Sequence, residues 1–298
     1  MIQLLRDNGD VIYELERSEL FPDYRSVLRE AIALSIDLTG LLVVSENLDN
    51  VMWKRQNVQS LHFKNCSIKK SVFEECYAGH LYFEDCDATG LKVKKSKCNH
   101  LSFRACKVES SSFRNSDIST LDVWESNCCN ATFYNCKIDH ISFHKSNVSD
   151  ALFQNCGIAS SNFLHTLPNK DWLCNTFFIN CSLRKCDMKC VDDISTLYFW
   201  ETNVSDIQFP VEHRFTKVIT MLNQVIYVID ADVVWWQPHS WIDCEKRLFR
   251  GTLAQFREEI KEHFPTTALY PNMMDFETAE ELSKVVVYLE QWANERTQ

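Results

Sequence analysis

Fourteen cysteines and nine histidines are the residues of this 298-residue chain best suited to chemistry, and their spacing decides which chemistry is open to them. Zinc-binding thiols recur two to four residues apart, so that neighbours reach one ion. Here Cys66, Cys76, Cys86 and Cys106 fall ten and twenty apart, and Cys136 and Cys156 are twenty apart. That spacing suits small packing residues in a periodic element. Cys181, Cys186 and Cys190 lie where the period weakens and also read as structural. His80, His100 and His140 share the twenty-residue phase, with Thr120 interrupting it. Adjacent imidazoles could hold a metal, yet no third ligand accompanies them. Cys244 and His239 have the residue types of a nucleophile and its base, without an orienting partner or an oxyanion site. The sequence has no Walker, HExxH or GxSxG motif. The expectation is a chain that is not an enzyme, with no cofactor and no metal.

Composition narrows the class further. A 45% hydrophobic content with 24% charged residues supports a folded core and excludes a disordered chain. No stretch approaches the eighteen apolar residues of a membrane helix, and the first residues lack the pattern of a secretory signal. Abundant cysteine in such a chain points to reduced thiols and a cytoplasmic location.

The elements that must position these residues follow a period of five. From Leu61 the chain reads LHFKN-CSIKK-SVFEE-CYAGH-LYFED-CDATG, and the third residue of each five stays apolar from Phe63 to Phe163. Two residues earlier sits a small or apolar residue: Leu61, Cys66, Ser71, Cys76, Leu81, Cys86. Five matches neither the helical period of 3.6 nor the strand period of 2, so it marks a solenoid.

This pattern resembles the pentapeptide-repeat family from about Ile36 to Phe209. The resemblance implies an all-β solenoid, a right-handed quadrilateral β-helix in which four fives make one coil. Residues twenty apart would then stack at about 4.8 Å. One inner column would be Phe63, Phe83, Phe103, Val123, Phe143 and Phe163, and the opposite one Phe73, Val93, Phe113, Phe133 and Phe153. About 175 residues would make eight to nine coils. The same stacking would alternate charge on outward columns: Lys54–Glu74–Lys94, Arg55–Glu75–Lys95 and Lys64–Glu84–Arg104. The stretch 36–210 carries 20 acidic and 18 basic residues, so the acidic excess lies towards the two ends.

Three parts are expected. Residues 1–35 form a hairpin around Asn8-Gly9 and a capping helix from Asp23 to Leu34, an N-terminal helical cap over the first coil. Residues 36–210 form the β-helix. Residues 211–298 form a small α+β unit with two strands in Val218–Trp236 and a third at Trp241–Cys244. In that unit a helix is capped by Thr252, and another opens at the Thr278–Glu281 capping box. A Gly251-Thr-Leu-Ala-Gln-Phe256 stretch behind the repeats looks like pentapeptide proteins of phages and prophages.

Two regions depart from the pattern. Leu164–Cys174 interrupts the small/Phe alternation with Pro168 and polar residues, and reads as a loop. Its Trp-Leu-Cys-Asn segment is similar to the loop-bearing part of the Qnr quinolone-resistance proteins. Trp235, Trp236 and Trp241 cluster near Pro238 as either core or an exposed hot spot, with core favoured. The expected function is a non-enzymatic protein-binding scaffold or inhibitor acting on a host enzyme or defence component. The expected contacts are His165, Asn169, Lys170, Trp172, Trp235 and Trp236. The Qnr similarity implies an alternative, a DNA mimic that binds a type II topoisomerase (DNA gyrase). Alternating charge on the outward columns weakens that alternative, because duplex mimicry needs acidic rows. Direct nucleic-acid binding through Lys92, Lys94, Lys95, Lys97, Arg104 and Lys107 is disfavoured by a pI of 5.4. No membrane partner is expected, and a homo-oligomer remains compatible with the sequence.

Overall fold

Leu61 pairs with Leu81, Leu81 with Leu101, Leu101 with Leu121 and Leu121 with Ile141, each twenty residues on in a parallel neighbour. That register organises the computed structural model, which describes residues 1–163, 173–189, 191, 197–200, 202, 207–208, 215–219, 225–229, 233–236, 249–263 and 273–294. Contacts divide the chain into two units, Met1–Gln208 and Phe209–Gln298.

In the first unit the chain winds as a β-solenoid of about seven turns. Three corners of each regular coil carry a residue with positive φ, as at Ser45 (57°), Asn50 (59°) and Arg55 (53°), and this recurs every twenty residues. A non-glycine residue there costs roughly 1–2 kcal/mol. The cost is offset because each corner N–H donates to a carbonyl of the next coil: Asn65 to Glu84 at 2.8 Å, Lys70 to Thr89 at 3.0 Å, Glu75 to Lys94 at 3.0 Å. The fourth corner needs no positive φ. Eight-residue strands run through it, as in Asn57–Lys64, Tyr77–Glu84 and Lys97–Arg104.

The apolar centres fill the interior. Phe63, Phe83 and Phe103 stack with centroids 5.0 Å apart. Opposite them Phe113, Phe133, Phe153 and Phe178 stack at 4.7, 4.6 and 5.0 Å. The two columns meet edge to face, as in Phe103–Phe113 at 6.4 Å, an arrangement that suits aromatic quadrupoles. Ile68, Ala88, Val108, Cys128 and Val148 occupy the smaller positions between the columns and are buried.

The expected count of eight to nine coils is too high. Leu152 pairs with Phe177 and Gly157 with Ser182, so this coil takes twenty-five residues. Phe177 pairs with Tyr198, a step of twenty-one. These insertions take up six residues, and the two long parallel ladders begin only at Leu41 and end by Trp200, so fewer coils fit.

The cap also differs from expectation. Strand β1 (Ile2–Arg6) and strand β2 (Val11–Leu15) form the hairpin, with Gly9 at φ 90°. β1 pairs antiparallel with β3 (Leu41–Val44), so the cap is strands plus a helix, with the hairpin pairing to the edge of the first coil beside the expected helix. A strand can satisfy edge N–H and C=O groups, whereas a helix has already used its own. Helix α1 (Tyr24–Ala33) opens with a capping box between Asp23 and Ser26 and buries Val27, Leu28 and Ala31.

The second unit holds an antiparallel sheet of four strands, Phe215–Ile219, Val225–Ile229, Val233–Trp236 and Phe249–Gly251. Two expected strands in 218–236 are thus three, because Ile229 pairs back onto Val233. Phe249–Gly251 pairs with Val233–Trp236, while Trp241–Cys244 lies outside the described residues. Helix α2 (Leu253–His263) begins where Thr252 and Gln255 exchange capping hydrogen bonds of 2.8 and 3.2 Å. Helix α3 (Met273–Asn294) starts five residues before Thr278, since nothing in Met273–Glu277 breaks a helix. Ile226, Val228, Phe256, Ile260, Leu282, Val286 and Leu289 share one core. No described helix is long and apolar enough to cross a membrane.

Phe103 is 1% exposed, whereas its neighbour Arg104 points outward. Phe103→Ala should therefore cost about 3–5 kcal/mol and Arg104→Ala below about 1 kcal/mol in denaturant unfolding. Equal losses at the two sites would overturn the inward and outward assignment.

Candidate interaction surface

The cysteines belong to the ladder, where they serve two distinct purposes. Cys66, Cys86 and Cys106 share a column with Ser126 and Ser146. Cys76, Cys136, Cys156 and Cys181 share another with Ser96 and Ser116. Each thiol in these columns lies close to two carbonyls at a corner: Cys66 Sγ donates to Val43 at 3.4 Å and to Lys64 at 3.2 Å. Serine does the same work, since Ser126 Oγ donates to Phe103 at 3.3 Å and Trp124 at 2.8 Å. Cys98 and Cys128 sit at apolar centres instead. Burial pushes both of these thiols up to about 12, far from the thiolate that nucleophilic or metal chemistry requires. Ten of the twelve described cysteines are buried, none of the twelve is in a disulfide, and Cys190 and Cys244 lie outside the described residues.

The outward face built by the eight-residue strands carries the imidazoles. Five of the nine histidines, His62, His80, His100, His140 and His144, lie on it. His80 and His100 are register partners with ring centroids 5.7 Å apart. Each already has another partner. His80 Nδ1 lies 3.1 Å from the Tyr82 hydroxyl, and His100 Nε2 lies 3.0 Å from Asp122 Oδ2. Trp124, 46% exposed, packs against His144 at 4.3 Å. Among the described residues no three His, Cys, Asp or Glu side chains are grouped to hold a metal. Tyr82 and Asp122 were missing from the sequence-based candidates. Their signal was available, because offsets of two and twenty-two from a histidine share its outward face.

Charges follow the expected alternation. Glu75 bridges Arg55 at 2.8 Å and Lys95 at 3.6 Å across three coils, and Glu84 meets Lys64 at 3.2 Å. The Arg55 guanidinium bonded to Glu75 holds that carboxyl below its usual range, and the Lys64 ammonium does the same for Glu84. Such rows present neither sign continuously.

Of the sequence-based contact residues, His165, Asn169, Lys170 and Trp172 lie outside the described residues. The coil containing them is the one lengthened to twenty-five residues. Ser160, at the fourth corner, has φ 49°, a sign shared by Gly40 at the start of the ladder but not by Ser60, His80, His100, Thr120 or His140 between them. The regular corner therefore changes just before that segment. Trp235 and Trp236 lie on the strand Val233–Trp236, opposite Arg250 and Phe249. Their side chains are outside the described part. His239 lies outside it as well.

The two cysteine environments make a testable contrast. Cys66→Ser and Cys136→Ser should each change stability by less than about 1 kcal/mol, because serine already fills both columns. Cys98→Ser should cost about 1–3 kcal/mol, since it buries a hydroxyl where no hydrogen bond awaits it. Thermal or urea unfolding of the three variants measures this, and equal costs would contradict it.

Comparison with known proteins agrees with the ladder. Residues 56–128 match a model described as a pentapeptide repeat region. No curated protein matches the chain. Among solved structures, the plasmid-mediated fluoroquinolone resistance protein QnrB1 aligns at 13% identity over 57% of this chain and 84% of its own, with a TM-score of 0.30. HetL, a pentapeptide repeat protein involved in heterocyst differentiation regulation from the cyanobacterium Nostoc, aligns at 7% identity over 61% of this chain and 93% of its own, with a TM-score of 0.27. Scores this low carry no inference about function. The period of five, the twenty-residue register and the match over 56–128 identify a pentapeptide repeat region within the first unit of the chain.

Proposed function

We propose that the chain is a non-enzymatic scaffold whose rigid solenoid presents an inserted segment to a protein partner. The observation that carries this reading is the register break. Every described coil before it closes in twenty residues, and the coil running from Leu152 to Phe177 takes five more. Backbone added to a rigid ladder is free of the ladder's side-chain restrictions, so its residues can serve recognition. His165, Asn169, Lys170 and Trp172 fall in that stretch of the sequence and offer an imidazole, an amide, a cation and an indole for recognition. Trp235 and Trp236 are a second contact candidate in the C-terminal unit. The partner class in this reading is a host enzyme or defence component.

Replacing Asn169, Lys170 and Trp172 together with Ala should abolish capture of a partner from host lysate and leave the melting temperature within about 2 °C. Lys170→Ala and Trp172→Ala made singly separate contact from packing, because only a packing residue lowers the melting temperature. Retained binding in the triple variant would move the contact to the C-terminal unit. Gyrase inhibition or drug protection that depends on the segment would make a topoisomerase the partner.

A further inference from the structure

Glu46 breaks a column that otherwise holds only Cys66, Cys86, Cys106, Ser126 and Ser146. At those five positions a thiol or hydroxyl donates to nearby carbonyls, as Cys86 does to Phe63 at 3.3 Å and Ser146 to Val123 at 3.0 Å. A carboxylate cannot donate, and it is repelled by carbonyl oxygens. Glu46 instead lines a groove of about 660 Å³ between the N-terminal hairpin, the start of α1 and the first coil. Among the described residues its carboxylate has no hydrogen bond or ion pair. Burial and the Asp23 carboxylate push it above the usual range.

Tyr24 lines the same groove. Its hydroxyl is the one buried side-chain oxygen or nitrogen among the described residues without a hydrogen-bond partner. Burial and the neighbouring Glu46 raise the phenol above its ordinary value. A buried hydroxyl left unmatched costs about as much as a lost hydrogen bond, so native structures keep few of them. The groove's two guanidinium groups, by contrast, are engaged. The Arg6 guanidinium donates to the Thr39 carbonyl, and Arg17 Nε donates to the Pro22 carbonyl at 2.9 Å. Asp23 accepts from the Ser26 N–H at 2.8 Å. Asp7 and Met1 also border the groove, and its walls include the apolar side chains of Ile2, Leu5, Leu42 and Val44.

We propose that this groove binds a small organic cation, a primary ammonium on a short apolar body, with Glu46 as counter-ion and the Tyr24 oxygen as second acceptor. The volume falls within the roughly 300–1,000 Å³ typical of small-ligand sites. An ammonium has three donors and no acceptor, which complements an unpaired carboxylate and a phenol oxygen. Pairing also favours ionised Glu46, so affinity weakens as pH falls through the raised Glu46 value.

Titration calorimetry of the full chain with 2-phenylethylammonium, 2-phenylethanol and 3-phenylpropionate tests this. The ammonium should bind at least about tenfold tighter than the alcohol, with no binding of the carboxylate, as a charge-assisted bond predicts. Glu46→Gln should lower ammonium affinity by about tenfold or more. Glu46→Ser, which restores the column residue, should remove binding without lowering the melting temperature. Tyr24→Phe should raise the melting temperature of the free protein while weakening ammonium binding. Equal affinity for ammonium and alcohol, no ammonium binding, or binding indifferent to Glu46 would each overturn the proposal. Preferred binding of the carboxylate would also overturn it, and would assign the groove to Arg6 and Arg17.

Discussion

Hydrogen bonds from the N–H groups of one coil to the carbonyls of the next, which hold residues twenty apart in register, are the interaction on which the rest of this protein depends. Because Leu61, Leu81 and Leu101 lie in register, every column repeats one environment, and a residue is judged against those twenty before and after it. Phenylalanine stacks on phenylalanine at about 5 Å because the strands are spaced that way. Opposite charges alternate down a column for the same reason. The corners hold Arg, Glu, Lys and Asp at positive φ because the coil-to-coil bonds to their N–H groups outweigh the local strain.

The same constraint separates structure from function. Inward positions are committed: the apolar centres are buried, and the thiols and hydroxyls serve corner carbonyls. What remains for recognition is the outward face and wherever the register fails. The first unit departs from the pattern most clearly in two places, one of register and one of residue type. The coil running from Leu152 to Phe177 is five residues too long, and Glu46 puts a carboxylate where the column asks for a small donor. One departure adds chain and the other adds an unpaired charge. A regular solenoid has no need of either.

Much of this was legible in the residues. The period of five assigned the inward columns, the small donor positions and the charge rows, because each follows from local spacing once the register is twenty. Pairings between segments distant in sequence were harder to read. Nothing in Ile2–Arg6 shows that it would bond antiparallel to Leu41–Val44, so the helix seemed the natural cap. Val225–Ile229 and Val233–Trp236 are separated in sequence by only Asp230, Ala231 and Asp232, too short an interruption to stand out between two apolar runs, and Thr278 offered a cap where helix formers upstream already continued the helix. Glu46 was overlooked because its column is recognised only from the coils that follow it. Tyr82 and Asp122 were overlooked because the histidines were read along their own column, not across the face.

Residue-resolved hydrogen exchange tests most directly whether the coil-to-coil bond governs the fold. The corner amides of Asn65, Asp85, Ala105 and Glu125 each donate to the next coil at 2.8–2.9 Å. They should exchange as slowly as strand amides such as those of Phe83 and Phe103, since both open only when the ladder opens. Corner amides exchanging orders of magnitude faster than the strands, as in free loops, would contradict it.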